Sequence, residues 1–370
     1  MTPPPLTAAG PSWLLWPMPY DPFSRGPYPV GVRSHEPTDA ARARPLPVEL
    51  WYPAGEAARD RDVAPATRDS YELLPGFPAV WQEAVRDAVP RDGRYPLILF
   101  SHGFGGHRRQ STFFCTHLAS HGYVVAAVDH TGNTITDMMQ LMLQIAGGGS
   151  LPDFGNVLDD FIAKRPDDVV FLLDAVLGDL DPEIAARIDP SRIGMSGHSF
   201  GGWTTLKIAG RERRVGAALP LAPAGGWTHM PAEPLQRSLD FAWPRPVPTT
   251  YLVAERDSLL PLRGMRELHE RTPGAKRLFV LHNADHMHFC DRVEEVHEMF
   301  RAMPPPGAFA DVARHTPPIS ELAPGEHAYQ FTRGLGLAHF DAVLRGDAAA
   351  TALLDDAVAV LAARGIEAGC

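Results

Sequence analysis

Residues Arg192–Gly210 read RIGMSGHSFGGWTTLKIAG, a serine set between glycines where an apolar stretch gives way to a helical one. The pentad Gly197-His198-Ser199-Phe200-Gly201 fits the pattern G-x-S-x-G, which arises easily by chance in a chain with 33 glycines. Its surroundings give it meaning. RIGMSG has the apolarity and length of a covered strand and FGGWTTLKIAG the pattern of a helix, so the pentad falls on a sharp strand-to-helix turn. Such a turn lifts a hydroxyl above a sheet edge and points a helix N-terminus at it, and glycines flank it because side chains would meet neighbouring backbone. The spacing predicts a nucleophilic Ser199; the plain alternative is a tight turn.

Outward from this turn, the chain alternates strands and helices. PLILFSHG (96–103) and YVVAAVDH (123–130) read as strands covered on both faces, VGAALPLA and TTYLVAERD as strands, and KRLFVLHNADH as a strand and loop. Helical stretches lie between them at 107–120, in RPDDVVFLLDAVL with Pro166 near its first turn, and in LLPLRGMRELHER. PLPVELWY (45–52) alternates apolar and polar residues, which predicts an antiparallel strand with one solvated face. This rhythm implies a mostly parallel sheet wrapped by helices, the α/β class. Two helical stretches at 329–344 and 348–363 close the chain, and no repeat period is present. Residues 1–25 read as a proline-rich arm without the features of an export signal, and 26–370 as a single domain. Segments 131–164, which carries MMQLMLQIA, and 225–246 follow strand ends and are expected to act as caps, although the Met-rich stretch also suits a core-facing helix.

A serine hydroxyl needs a base, and the base an acid. After a nucleophile turn of this kind the chain order is serine, acid, histidine. Asp257 begins the loop after YLVAER and His286 the loop after LFVLHNA, both at the expected carboxyl edge of the sheet. Glu255 and Asp285 are rival acids. His288 is a rival base, whereas His282 belongs to the strand. Asp285, His286 and His288 lack a fourth ligand at suitable spacing, so no metal is expected. In SHGFGGHRR a strand runs into a glycine-rich turn with free amides, and the N–H groups of Phe104 and Phe200 are the expected oxyanion donors. His198, Met138, Met142 and Trp227 are the expected substrate contacts.

Composition narrows the partners. The net charge is −10 with scattered Lys and Arg, which speaks against nucleic acid. Three distant cysteines suggest neither a disulfide framework nor a thiolate metal site and suit a reducing cytoplasm. No apolar run approaches the length of a membrane helix, and no dinucleotide fingerprint opens a helix, so no cofactor is expected.

SHGFGGHRRQSTFFCTHLASHGYVVAAVDH and GHSFGG, with GPYPVGVRSHEP…VELWYP, RPDDVVFLLD and ADHMHFCD, resemble the plasma-type platelet-activating factor acetylhydrolases and the related bacterial dienelactone-hydrolase-like esterases. The resemblance runs from Gly26 to Asp291 with its motifs in order. It implies an α/β-hydrolase fold and a calcium-independent serine esterase for small acyl groups, with Ser199 and His286 as nucleophile and base and Phe104 and Phe200 as donors. One departure is clear. In the eukaryotic acetylhydrolases the acid follows the strand after the nucleophile helix, here LPLAPAGG, which holds no carboxylate. Asp257, one strand later, points to the bacterial branch and away from phospholipid specificity. Acyl transfer or lactone formation, a serine peptidase, and a non-catalytic binding protein of the same fold are the other readings.

Overall fold

The computed structural model describes residues 20–370 apart from Pro75 and Leu151. Ten strands among the described residues form one sheet: β1 Val30–His35, β2 Val48–Pro53, β3 Val85–Arg86, β4 Tyr95–Ser101, β5 Val124–Val128, β6 Ile188–His198, β7 Val215–Leu221, β8 Thr249–Ala254, β9 Lys276–Leu281 and β10 Ala368–Gly369. Their order across the sheet is β10-β9-β8-β7-β6-β4-β5-β2-β1-β3. From β9 to β5 all neighbours are parallel, whereas β1, β2 and β10 meet a neighbour antiparallel. This is the α/β-hydrolase arrangement expected from the sequence.

The central strands are apolar on both sides because both sides are covered. Leu97 and Leu99 of β4 face one core and Ile98 and Phe100 the other. On the second side pack α1 (Thr112–Ser120) and, near the chain end, a helix at Gly325–Phe340; on the first packs the long helix Phe154–Leu177. Strand β2 departs from expectation. All six of its residues are buried, since the face that carries Glu49 is roofed by Arg86, Arg108 and Arg109, and Arg109 Nη2 lies 2.8 Å from Glu49 Oε2.

Four helices bear on the site or its surroundings. The Met-rich stretch forms α2 (Ile135–Ala146), and none of its residues is buried, so it is not a core helix. It is joined by a capping box between Thr134 and Asp137 and by Ile135 N–H to Gly106 O (2.9 Å). The long helix, α3 (Phe154–Leu177), begins twelve residues before Pro166, which sits in its interior rather than in its first turn. The interior proline costs about 3 kcal/mol, and burial of Leu158, Phe161, Val169, Leu172, Leu173 and Val176 along the same helix offsets it. Helix α4 (Phe200–Arg211) follows the nucleophile turn. The segment 225–246 holds a short helix, α5 (Glu233–Ser238), and buries Met230, Leu235 and Leu239 in the main core. Of the arm expected over 1–25, residues 1–19 lie outside the described residues. The remainder is packed: Phe23 is buried and the Tyr20 hydroxyl donates to Asp341 Oδ2 (2.9 Å).

Candidate active site

The parallel strands deliver the sequence-predicted residues to one edge of the sheet, in loops that follow β4, β6, β8 and β9. Ser199 stands between β6 and α4 with φ 58° and ψ −116°, a left-side backbone conformation that a non-glycine residue holds only under constraint. The constraint is visible. Ser199 N–H donates to Leu221 O (2.9 Å), and its carbonyl accepts from Ala224 and Trp203 N–H (2.9 and 3.0 Å). A Cβ on Gly201 would fall 1.8 Å from Ser101 O, and one on Gly197 2.5 Å from Gly201 O, so both glycines of the pentad are required by close backbone approach.

His286 and Asp257 meet. Nδ1 of the imidazole lies 2.7 Å from Asp257 Oδ2, and the other carboxylate oxygen accepts from Leu259 and Leu260 N–H (3.0 and 2.7 Å). The imidazole packs at a tilt against His198, the neighbour of Ser199, at 4.6 Å between ring centres. Burial works against the imidazolium, but the charge and hydrogen bond of Asp257, helped by Asp285, outweigh it and raise His286 above the ordinary histidine value.

The rivals have other work. Asp285 accepts from Ser258 N–H (2.7 Å) and His286 N–H (2.6 Å), tying the acid loop to the histidine loop. His288 spans Asp285 O and Ala323 O at 3.0 and 2.9 Å. Glu255 accepts from Asn283 N–H on the exposed rim (2.9 Å).

The glycine-rich turn after β4 closes over Ser199: a Cβ on Gly103 would lie 3.4 Å from Ser199 Cβ. Among the described residues neither Phe104 N–H nor Phe200 N–H donates a hydrogen bond to the protein. Two free amides thus come from the turn beside the serine and from the N-terminus of α4. The Phe104 ring forms part of an apolar cleft, with Met138, Leu141 and Met142 of α2 opposite and Phe154 and Phe309 beside it. Phe309 stacks on Phe104 at 5.8 Å.

Two residues expected to contact substrate lie away from the cleft. His198 is 2 % exposed, and its ring nitrogens are engaged by Gln110 Nε2 (2.9 Å) and His286 O (3.0 Å), so it holds the site together instead of facing a ligand. Trp227 lies under Arg263, whose guanidinium carbon is 4.8 Å from its ring, and it takes no part in the cleft. Met138 and Met142 do line it. Sequence reasoning missed Gln110, whose side chain also accepts Gly103 N–H (2.9 Å), and Phe309, which reaches the cleft from a distant proline-rich stretch. Neither carried a signal, since a glutamine in a turn or a phenylalanine in a short helix has no distinguishing pattern until the fold supplies its neighbours.

Several known proteins resemble parts of this chain. Residues 74–144 match the family model described as platelet-activating factor acetylhydrolase, isoform II. A cutinase, est1 of Thermobifida alba, is 29% identical over 202 residues, 53% of this chain and 55% of its own. The platelet-activating factor acetylhydrolase of Canis lupus familiaris is 27% identical over 176 residues, 39% of this chain and 37% of its own. The chain therefore spans about half the length, or less, of these curated relatives. Among solved structures, a ferulic acid esterase from Streptomyces cinnamoneus superposes with a TM-score of 0.60 at 28% identity, covering 86% of this chain and 91% of that one. By its ordered motifs, its sheet and these likenesses, the chain has an α/β-hydrolase fold and is similar over part of its length to the platelet-activating factor acetylhydrolases.

Proposed function

We propose that the protein is a serine carboxylic-ester hydrolase. The observation that carries this reading is the His286–Asp257 pair at 2.7 Å, in loops at the same sheet edge as a serine held at φ 58° on a strand-to-helix turn. Ser199 Oγ attacks the ester carbonyl carbon while His286 Nε2 takes its proton. Asp257 holds the imidazole with Nε2 toward the site and stabilises the imidazolium. The N–H groups of Phe104 and Phe200 receive the charge that develops on the carbonyl oxygen, each donor lowering the barrier by about 3 kcal/mol. His286 then passes the proton to the departing alkoxide, and water, activated by the same imidazole, releases the acid from the acyl-enzyme. The names of the relatives, an acetylhydrolase and a ferulic acid esterase among them, support an ester as substrate.

The cleft indicates which part of the ester is held. Its walls are methionine, leucine and phenylalanine, so it suits an apolar acyl or aryl group and offers no partner for a charged one. Three unpaired cysteines, two of them buried, support a reducing compartment, the cytoplasm, and the acidic balance supports a small-molecule partner over nucleic acid.

A fluorophosphonate probe and p-nitrophenyl esters test the proposal together. The folded protein should be labelled on Ser199 and should turn over the esters, and Ser199→Ala should abolish both. Absence of label and turnover would remove every enzymatic reading, and cleavage of peptide nitroanilides in preference to esters would replace the esterase with a peptidase.

A further inference from the structure

Behind the glycine-rich turn lies a charge that the ester-hydrolase mechanism above does not use. Arg165, in the middle of α3, is fully buried and has no carboxylate within salt-bridge distance among the described residues. A buried cation is costly unless its surroundings compensate it. Here the contacts are with carbonyl oxygens, and the more distant charge of Asp168 also favours the cation. Nη1 donates to His102 O (2.7 Å), Nη2 to Gly103 O (2.9 Å), and Nη2 also to the side-chain oxygen of Asn133. The guanidinium lies 4.3 Å over the ring of Phe200. Burial lowers Arg165 to about 9, which leaves it charged at neutral pH.

The partners matter because of the covalent chain. Gly103 C=O and Phe104 N–H belong to the same peptide group, so a cation on the oxygen draws electron density from the nitrogen and strengthens the N–H as a donor. The same oxygen accepts from His102 Nδ1 (2.7 Å), whose Nε2 is held by His130 N–H (3.0 Å), so the peptide is pulled from two sides. Through its ring contact Arg165 also fixes Phe200, whose N–H is the second donor.

Resting on the esterase reading above, we propose that Arg165 is a positioning residue for the oxyanion hole: it holds the Gly103–Phe104 peptide in register with Ser199 and polarises it, so that the site meets the developing negative charge with a buried positive one behind it. No bond to Arg165 forms or breaks during turnover. Its effect is confined to states that carry an oxyanion, which separates it from a residue that merely maintains the fold.

The experiment measures p-nitrophenyl butyrate hydrolysis together with the affinity of an alkyl trifluoromethyl ketone, which adds to the serine as a hemiketal oxyanion. Arg165→Met removes the charge. Asn133→Asp keeps the arginine but places a carboxylate on it, and this near-isosteric change preserves the test if the methionine variant does not fold. In both, kcat should fall roughly tenfold to hundredfold and ketone affinity by the same factor, with KM within about twofold. Arg165→Lys should retain part of both. A folded variant with unchanged kcat, or one whose kcat falls while ketone affinity stays at the wild-type level, would overturn the role of Arg165. Wild-type protein that neither hydrolyses the ester nor binds the ketone would instead overturn the esterase reading.

Discussion

At the residue scale, the chemistry is concentrated in the environment of one imidazole. His286 is buried, yet Asp257 raises its pKa above the usual 6.5. A general base acts only when neutral, so the raised pKa moves the protonated, inactive form to higher pH. The rise of kcat/KM with pH should therefore have its midpoint above 6.5. Asp257→Asn removes the charge that raises it and the hydrogen bond that orients it. That variant should lose roughly a thousandfold or more in kcat, and its residual activity should titrate at lower pH. A wild-type midpoint below 6.5 would contradict the Asp257–His286 pairing as the source of the base. Both predictions are read from initial rates between pH 5 and 9.

At the scale of elements, the proposed esterase reading gives α2 the role of selecting among esters. It buries none of its residues in the core, and Met138 and Met142 face the cleft beside Phe104. Met138 also lies over the glycine-rich turn, since a Cβ on Gly105 would come 2.8 Å from Met138 Cγ. Acyl carbons beyond the first few should be held between this helix and Phe309. Replacing Met138 and Met142 together by serine removes apolar contact from that wall, a loss of about 1–2 kcal/mol for a chain long enough to reach it. The kcat/KM for a p-nitrophenyl octanoate should thus fall roughly tenfold, while that for the acetate stays within about threefold. Equal losses on both esters would show that α2 supports the site as a whole and does not select chain length. The fold of the protein should tolerate the change, because no core residue is altered.

At the scale of the whole molecule, the fold carries its own pH limit. His102, His130 and His339 are buried and held neutral, their pKa values lowered by desolvation: His102 well below 6.5, His130 to about 4 and His339 to about 3. In the unfolded chain each would bind a proton near pH 6.5. Below that pH the unfolded state therefore holds more protons than the folded one, and stability falls as pH falls. Each such histidine costs about 1 kcal/mol between pH 6.5 and 5.5. Glu49, whose carboxyl is lowered by Arg109 and Arg86 against its burial, adds a loss of the same sign nearer pH 4. His286, with a raised pKa, contributes in the opposite sense, losing its stabilisation as pH rises above 6.5. The several buried neutral histidines outweigh it. Thermal unfolding midpoints should drop steadily from pH 7 to 5, and a midpoint that stays level over that range would show that these imidazoles are protonated in the folded protein.

The order of strands and helices, the turn at Ser199 and the acid and base after later strands are local or near-local properties. Apolar runs, glycine spacing and chain order record them, which is why 199, 257 and 286 could be named before any coordinates. The same local patterns misled where a neighbour from far along the chain intervened. Pro166 suggested a helix start, but packing of residues on both sides of it carries α3 through. His198 suggested a substrate contact, but Gln110 and the His286 carbonyl claim both of its nitrogens. The alternation in β2 suggested solvent on one face, but three arginines from other segments cover Glu49. Local patterns along the chain specify its architecture and mark the candidates for its reactive groups, because backbone periodicity and turn chemistry act over a few residues. Which polar side chains face a ligand, which are buried as struts, and that Arg165 stands behind the Gly103–Phe104 peptide were decided only by the tertiary structure, because hydrogen bonding and charge compensation depend on partners that chain distance does not reveal.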